Sequence, residues 1–129
     1  MEAAAGLCIW IRARNEVFLV LRGDLGSFVD HWGVVGGAID PNETPLQAAY
    51  REAEEELGSL PIGNVLAKCT TQSSVSFTTY LYEVKPEDVD GWEATLNEEN
   101  REAHFFSVDN LPSPLVPGAL ESFSLLGIL

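Results

Sequence analysis

The sequence predicts an α+β fold, with one central mixed β-sheet and helices packed on it. Three observations point there. Apolar, β-rich runs stand at 7–13 and 17–21, and again at 75–84 and 103–108. Between them lies a helix whose start, apolar face and stop are each marked in the sequence. A trio of prolines then precedes a second, apolar helix. Strands interrupted by helical segments in this order suit layers of helix on a mixed sheet.

The elements follow in order. Leu7–Ala13 and Val17–Leu21 are separated by Arg14-Asn15-Glu16, which predicts a hairpin. Arg22–His31 holds Gly23, Asp24, Gly26, Ser27 and Asp30 and reads as a loop. Trp32–Val35 is a short strand that Gly36-Gly37 is expected to break. Thr44-Pro45-Leu46-Gln47 then supplies an N-cap, a first-turn proline and the glutamine of a capping box. Leu46, Ala49, Tyr50, Ala53 and Leu57 fall on one helical face, and Gly58 is the stop. Val65–Lys68 is a short strand. Val75–Val84 is a longer one, with Phe77, Thr79 and Leu81 on one side and Tyr80 and Tyr82 on the other. Lys85–Glu102 reads as a polar loop and Ala103–Val108 as a strand. Pro112, Pro114 and Pro117 precede a last helix, from about Gly118 to Leu126.

At 129 residues the chain is expected to form a single domain over 1–129, large enough for a core without disulfide staples. Twenty Asp and Glu stand against seven Lys and Arg, a net charge of −13. That balance argues against nucleic-acid duplexes and anionic membranes as partners, since both need a basic surface. Polyphosphates remain open to an acidic protein when cations bridge the two. Cys8 and Cys69 fit no metal or redox pattern and read as small buried residues. The start is apolar but lacks a basic leader, and its run ends at Arg12, short of a membrane span. A flexible terminus leading into a buried strand, and a cytoplasmic location, are the expectations.

The helix itself carries the chemistry. Glu52, Glu54, Glu55 and Glu56 crowd its C-terminal half, where like charges repel and the macrodipole disfavours anions. At about 100° per residue, Glu52 and Glu56 stack on one strip, Glu55 lies on the adjoining arc and Glu54 points elsewhere. A solvated acidic face is one account; a bound hard cation, Mg²⁺ or Mn²⁺, explains the crowding better. Gly36-Gly37 before the helix permits close backbone approach, and Arg51 is placed to pair with Glu43 and with the helical acids.

Gly37, Glu43, Arg51-Glu52, Glu55-Glu56 and Gly58 resemble the Nudix box, G-x5-E-x7-R-E-U-x-E-E-x-G-U, over residues 37–59. Every polar and glycine position is met; Ala53 and Ser59 depart at bulky apolar (U) positions that concern packing. Phe18–Arg22 and Trp32–Gly37 are similar to the family's strand ending in Arg and its W-x-x-P-G-G approach, with Val35 for the common proline. Glu99 through Phe105-Phe106 to Leu111-Pro112 is similar to a late segment of the family.

The resemblance implies a Nudix α-β-α sandwich and hydrolysis of a nucleoside diphosphate linked to a group X. Glu52, Glu55 and Glu56, with the Gly37 carbonyl, would hold Mg²⁺ or Mn²⁺, and Glu43 and Arg51 would orient these ligands. The general base lies either in the box or on the late loop, where Glu102 is slightly preferred to Glu99. Arg22 is a candidate phosphate contact. Phe28, Trp32, Tyr80 and Tyr82 are candidates to stack on a base, with core packing the competing use. Small size and the short sequence after the box suggest a MutT-like reaction, a (deoxy)nucleoside triphosphate cleaved to monophosphate and pyrophosphate. Nucleotide sugars and ADP-ribose are the alternative substrates, and a non-catalytic nucleotide-binding module is the alternative class. Since many Nudix proteins pair, the apolar tail Phe123–Leu129 is a candidate homodimer contact or, equally, a cap on the core.

Overall fold

A computed structural model of the chain describes residues 2–73 and 75–129. Its centre is strand β1 (Ala3–Ile11), which pairs along its whole length with the parallel strand β6 (Ser76–Val84). A parallel pair needs a long crossover, and the intervening chain supplies it together with helix α1 (Pro45–Leu57). The other pairings are antiparallel. One end of β1 meets β2 (Glu16–Arg22), and the other meets β4 (Val35–Ala38). β5 (Gly63–Gln72) borders β6; β3 (Trp32–Gly33) and β7 (Asn100–Ser107) border β2. Helices α2 (Pro86–Val89) and α3 (Ala119–Leu125) complete the fold. The expected mixed sheet between helical layers is present.

Alternation along the strands divides the core in two. Ala5, Leu7, Ile9 and Ile11 of β1 face α1 and meet its Ala48, Ala49, Ala53 and Leu57. Three alanines on that helix face allow it to sit close to the sheet. Cys8, Leu19 and Leu81 face the other way, against Phe123, Leu126 and Ile128. Tyr80 and Tyr82 lie on the α1 side and Leu81 on the α3 side, as the alternation predicts. Cys8 is fully buried and Cys69 partly so, and burial pushes the Cys8 thiol up to about 12.

Several boundaries differ from the sequence reading, each for a physical reason. Gly36-Gly37 does not break a strand: both lie within β4, paired with Gly6 and Ala5. A Cβ on Gly36 would stand 2.5 Å from the Ala5 carbonyl oxygen, and one on Gly6 would strike the Val35 carbonyl. Glycine here serves close strand approach. Val34 instead separates β3 from β4. β5 runs well past Val65–Lys68 because it borders β6, and its exposed side carries Lys68, Thr70 and Gln72 without an apolar period. β1 begins at Ala3, so the terminus enters the sheet earlier than expected; Met1 lies outside the described residues. The loop over 85–102 contains the one-turn α2, and β7 begins at Asn100, where it pairs with Arg22.

The C-terminal segment caps the core. Phe123, Leu126 and Ile128 are buried, while Leu120, Leu125 and Leu129 face solvent. Among the described residues no helix is long and apolar enough to cross a membrane. Phe123→Ala should therefore cost about 3–5 kcal/mol in urea unfolding. Leu129→Ala, at a side chain 54% exposed, should change stability by less than about 0.5 kcal/mol.

Candidate active site

The site is assembled where α1 crosses β4. The helix start is fixed by a reciprocal capping box: Gln47 N–H donates to Thr44 Oγ1 at 3.1 Å, and Thr44 N–H to Gln47 Oε1 at 2.9 Å. It ends at Gly58, whose φ of 79° lies in the region that favours glycine and whose N–H reaches the Glu54 carbonyl at 2.8 Å. With both ends fixed, Glu52 and Glu56 lie over the glycine pair of β4. A Cβ on Gly37 would stand 2.5 Å from the carboxyl carbon of Glu52, so glycine clears the space that this carboxylate fills.

Glu56 is the most enclosed acid, 2% exposed. Its Oε2 accepts the Gly36 N–H at 3.0 Å, and its Oε1 accepts an N–H of the Asn100 side chain at 2.8 Å. Burial nonetheless prevails over both donors and pushes this carboxyl up to about 8. Burial raises Glu52 as well, against the favourable pull of Arg51. Glu99, in the segment leading into β7, brings a third carboxylate, and ligand atoms of Glu52, Glu56 and Glu99 lie within 4.8 Å of one another.

Arg51 governs the acids beside this cluster. Its Nε and Nη2 clasp Glu43 in a fork at 2.7 and 3.0 Å. Nη1 reaches Glu52 at 3.0 Å and Glu55 at 3.2 Å, and Nη2 also donates to the Ala38 carbonyl at 3.0 Å. Asp40 lies 3.4 Å away. The hydrogen bonds from Arg51 hold Glu43 below its ordinary value, and the bond to Glu43, foremost, holds the guanidinium above its own.

The expected site residues do not all come together. Glu55 does not join the cluster; it is half exposed and turned to Arg51, its i−4 neighbour. Glu99 stands beside Glu52 and Glu56 instead of Glu102. Glu102, the slightly preferred late-loop acid, lies apart from the three, paired with His104 at 3.1 Å on an exposed face of β7. Arg22 and Phe28 do line the adjoining cavity of about 440 Å³, together with Glu52, Glu99 and Gly37. Arg22 is braced there by donation from its Nε to the Ser27 carbonyl at 2.7 Å. Tyr80 and Tyr82 do not line it, because strand alternation sends them into the core under α1. The Tyr82 hydroxyl donates to the Pro61 carbonyl at 2.7 Å. Trp32 packs edge-on against Phe106 at 4.9 Å, outside the cavity wall. Asn100 was not foreseen: a lone asparagine among acids carries no pattern that predicts burial.

All the donors in the cluster are hard carboxylate oxygens, with no histidine or thiol among them. That set fits Mg²⁺ or Mn²⁺, and the carboxyls of Glu52 and Glu56, raised by burial, are what a compensating cation would relieve. An α-β-α sandwich with such a cluster over a glycine pair is an arrangement suited to holding a divalent cation.

Comparison with known proteins agrees. The NUDIX domain family matches residues 1–126, and the chain belongs to that family. It is 31% identical over 111 residues to the human diphosphoinositol polyphosphate phosphohydrolase NUDT4B, covering 84% of this chain and 59% of that protein. The chain thus spans about three-fifths of the length of this curated relative. The crystal structure of a Nudix hydrolase from M. smegmatis, RenU, superposes with a TM-score of 0.72 at 26% identity, over 97% of this chain and 83% of that one. The fold is shared also with an ADP-ribose pyrophosphatase from Streptococcus suis, at a TM-score of 0.71 and 22% identity, over 96% and 87% of the two chains.

The raised Glu56 carboxyl predicts a pH signature in the metal-free protein. A folded value of about 8 against an ordinary 4.5 means that the native state holds a proton the unfolded chain has released. The associated stabilisation is complete below about pH 4.5 and is lost as pH rises through 8. Urea unfolding in EDTA at pH 5 and pH 8 should show a fall on the order of a few kcal/mol that Glu56→Gln removes. An equal fall in that variant would place the proton elsewhere.

Proposed function

We propose that the domain is a Mg²⁺-dependent pyrophosphohydrolase that cleaves a nucleoside diphosphate linked to X, with a (deoxy)nucleoside triphosphate as substrate and monophosphate plus pyrophosphate as products. The observation that carries this reading is the convergence of Glu52, Glu56 and Glu99 at the edge of a cavity that also holds Arg22. About 440 Å³ lies within the usual range of small-molecule sites, roughly 300–1,000 Å³, and suits one nucleoside-sized body.

Glu52 and Glu56 would hold the cation, with the Gly37 carbonyl and Glu55 as the further ligands that the box implies; Mn²⁺ is a fitting substitute. A divalent cation so held supplies neutralisation of diphosphate charge and makes water available as a nucleophile near neutral pH. The chain does the rest. The Gly36 N–H and Asn100 fix both oxygens of Glu56, so the ligand need not reorganise as charge moves. Arg51 orients Glu52 and Glu55 while Glu43 holds Arg51 itself. Arg22 is the cation that meets a phosphate oxygen. Glu99 reaches the reacting edge from the loop and is assigned the proton of the attacking water.

A hydrolysis screen with Mg²⁺ over nucleoside triphosphates, ADP-ribose and nucleotide sugars, read by product identity, tests this reading. Pyrophosphate with a monophosphate is the expected pair. Monophosphate with a phosphorylated sugar would move the assignment to the ADP-ribose or nucleotide-sugar class, and nucleotide binding without turnover would make the domain a binding module. Glu99→Gln should lower kcat by about 10²–10⁴-fold. Glu102→Gln should keep it within roughly threefold, since loss of an exposed acid outside the cluster leaves the ligands in place. The opposite ranking would return the base to Glu102.

A further inference from the structure

Glu99 is exposed and comes from a loop, yet its carboxylate meets those of Glu52 and Glu56. Like charges at this separation repel, so other bonds must hold the loop in place. The segment 92–97 shows where they are. Trp92 Nε1–H donates to Ser59 Oγ at 3.0 Å, and Thr95 N–H donates to the Leu57 carbonyl at 2.8 Å. An N–H of the Asn97 side chain reaches the Glu55 carbonyl at 3.1 Å. The last four carbonyls of a helix have no partner within it, and this segment supplies partners for two of those in α1. Gly58 makes the approach possible: a Cβ there would stand 3.1 Å from the Cβ of Thr95.

Asn97 bonds in both directions. While its amide N–H holds α1, its Oδ1 accepts the Glu99 N–H at 3.0 Å. A carbonyl can only accept and a backbone N–H can only donate, so this orientation of the amide satisfies both and the reverse satisfies neither. On the far side the Glu99 carbonyl accepts the Gly23 N–H at 2.9 Å. The Glu99 backbone is thus tied, through one side chain, to the helix that carries Glu52 and Glu56. Asn97 itself lies off the cavity wall.

We propose that Asn97 is a positioning residue: it couples Glu99 to the C-terminal end of α1, so that the loop acid keeps its place beside carboxylates that repel it. Alanine at this position loses both bonds. Aspartate keeps the acceptor for Glu99 and loses the tether to the helix. The kinetic consequence rests on the reading above that gives Glu99 the proton of the attacking water; the coupling itself does not.

Hydrogen exchange of the Glu99 N–H, followed by NMR in EDTA, reads the coupling without turnover. Asn97→Ala should speed that exchange at least about tenfold and leave the α1 amides within about twofold, with Asn97→Asp between it and the wild type. Mn²⁺ affinity should stay within about twofold in both variants, since Glu52 and Glu56 keep their own partners. With Mg²⁺ and a nucleoside triphosphate, Asn97→Ala should lower kcat by about 10–100-fold and keep KM within about threefold. In a Glu99→Gln background the same substitution should change kcat by less than about threefold, whereas a general loosening of the helix would multiply the two losses. Unchanged exchange at Glu99, or multiplied losses in the double variant, would overturn the proposal. Full activity of Glu99→Gln, or no turnover of the triphosphate, would count against the reading of the reaction, with exchange still deciding whether Asn97 holds Glu99.

Discussion

The site depends on one guanidinium. Arg51 stands between Glu43, Glu52, Glu55 and Asp40 and also donates to the Ala38 carbonyl. Isolated surface ion pairs add little, because solvent screens them and ordering two long side chains opposes them. This arrangement differs in geometry. The fork on Glu43 fixes the plane of the guanidinium, and the remaining N–H groups then have defined directions. Without it, several carboxylates would repel one another at the helix end the macrodipole least favours. Arg51 lets the acids be close; a cation at Glu52 and Glu56 would complete the balance.

The backbone beneath makes that closeness useful. Gly6 and Gly36 let β1 and β4 approach, and Gly37 leaves room for the Glu52 carboxylate. The alanine face of α1 keeps the helix near the sheet, which carries Glu56 down to the Gly36 N–H and to Asn100. Glu56 is therefore held by two donors yet pushed toward protonation by burial. Opposed tendencies of this kind are found at sites whose charge is completed by something else. Strand alternation packs the tyrosines under α1, while Arg22 at the end of β2 and Phe28 in the loop after it open onto the cavity.

Much of this was legible in the sequence. The capping box, the helix limits, the hairpin and the division of β6 between two faces all follow from local pattern. The box residues could be placed because helical spacing fixes which acids share a strip. What could not be read depends on tertiary pairing. Gly36-Gly37 looks like punctuation until Gly6 and Ala5 are seen beside it. β5 has no apolar period because it borders the sheet. Glu55 turns to Arg51, and Glu99 reaches Glu52 and Glu56 from a loop more than forty residues away, a meeting that helical spacing does not reveal. Asn100 carries no signal, since its partner is known only once the chain is folded. The same limit applies to Tyr80 and Trp32, aromatic in type but spent on packing.

The account is tested most directly by metal binding without substrate. Mn²⁺ titration followed by electron paramagnetic resonance, on the wild type, Glu52→Gln and Arg51→Lys, isolates the carboxylate cluster and the guanidinium that orders it. The wild type should bind Mn²⁺, and each variant should lose about 10–100-fold in affinity while keeping its circular dichroism spectrum. Equal affinity in all three would contradict both the site and the role of Arg51.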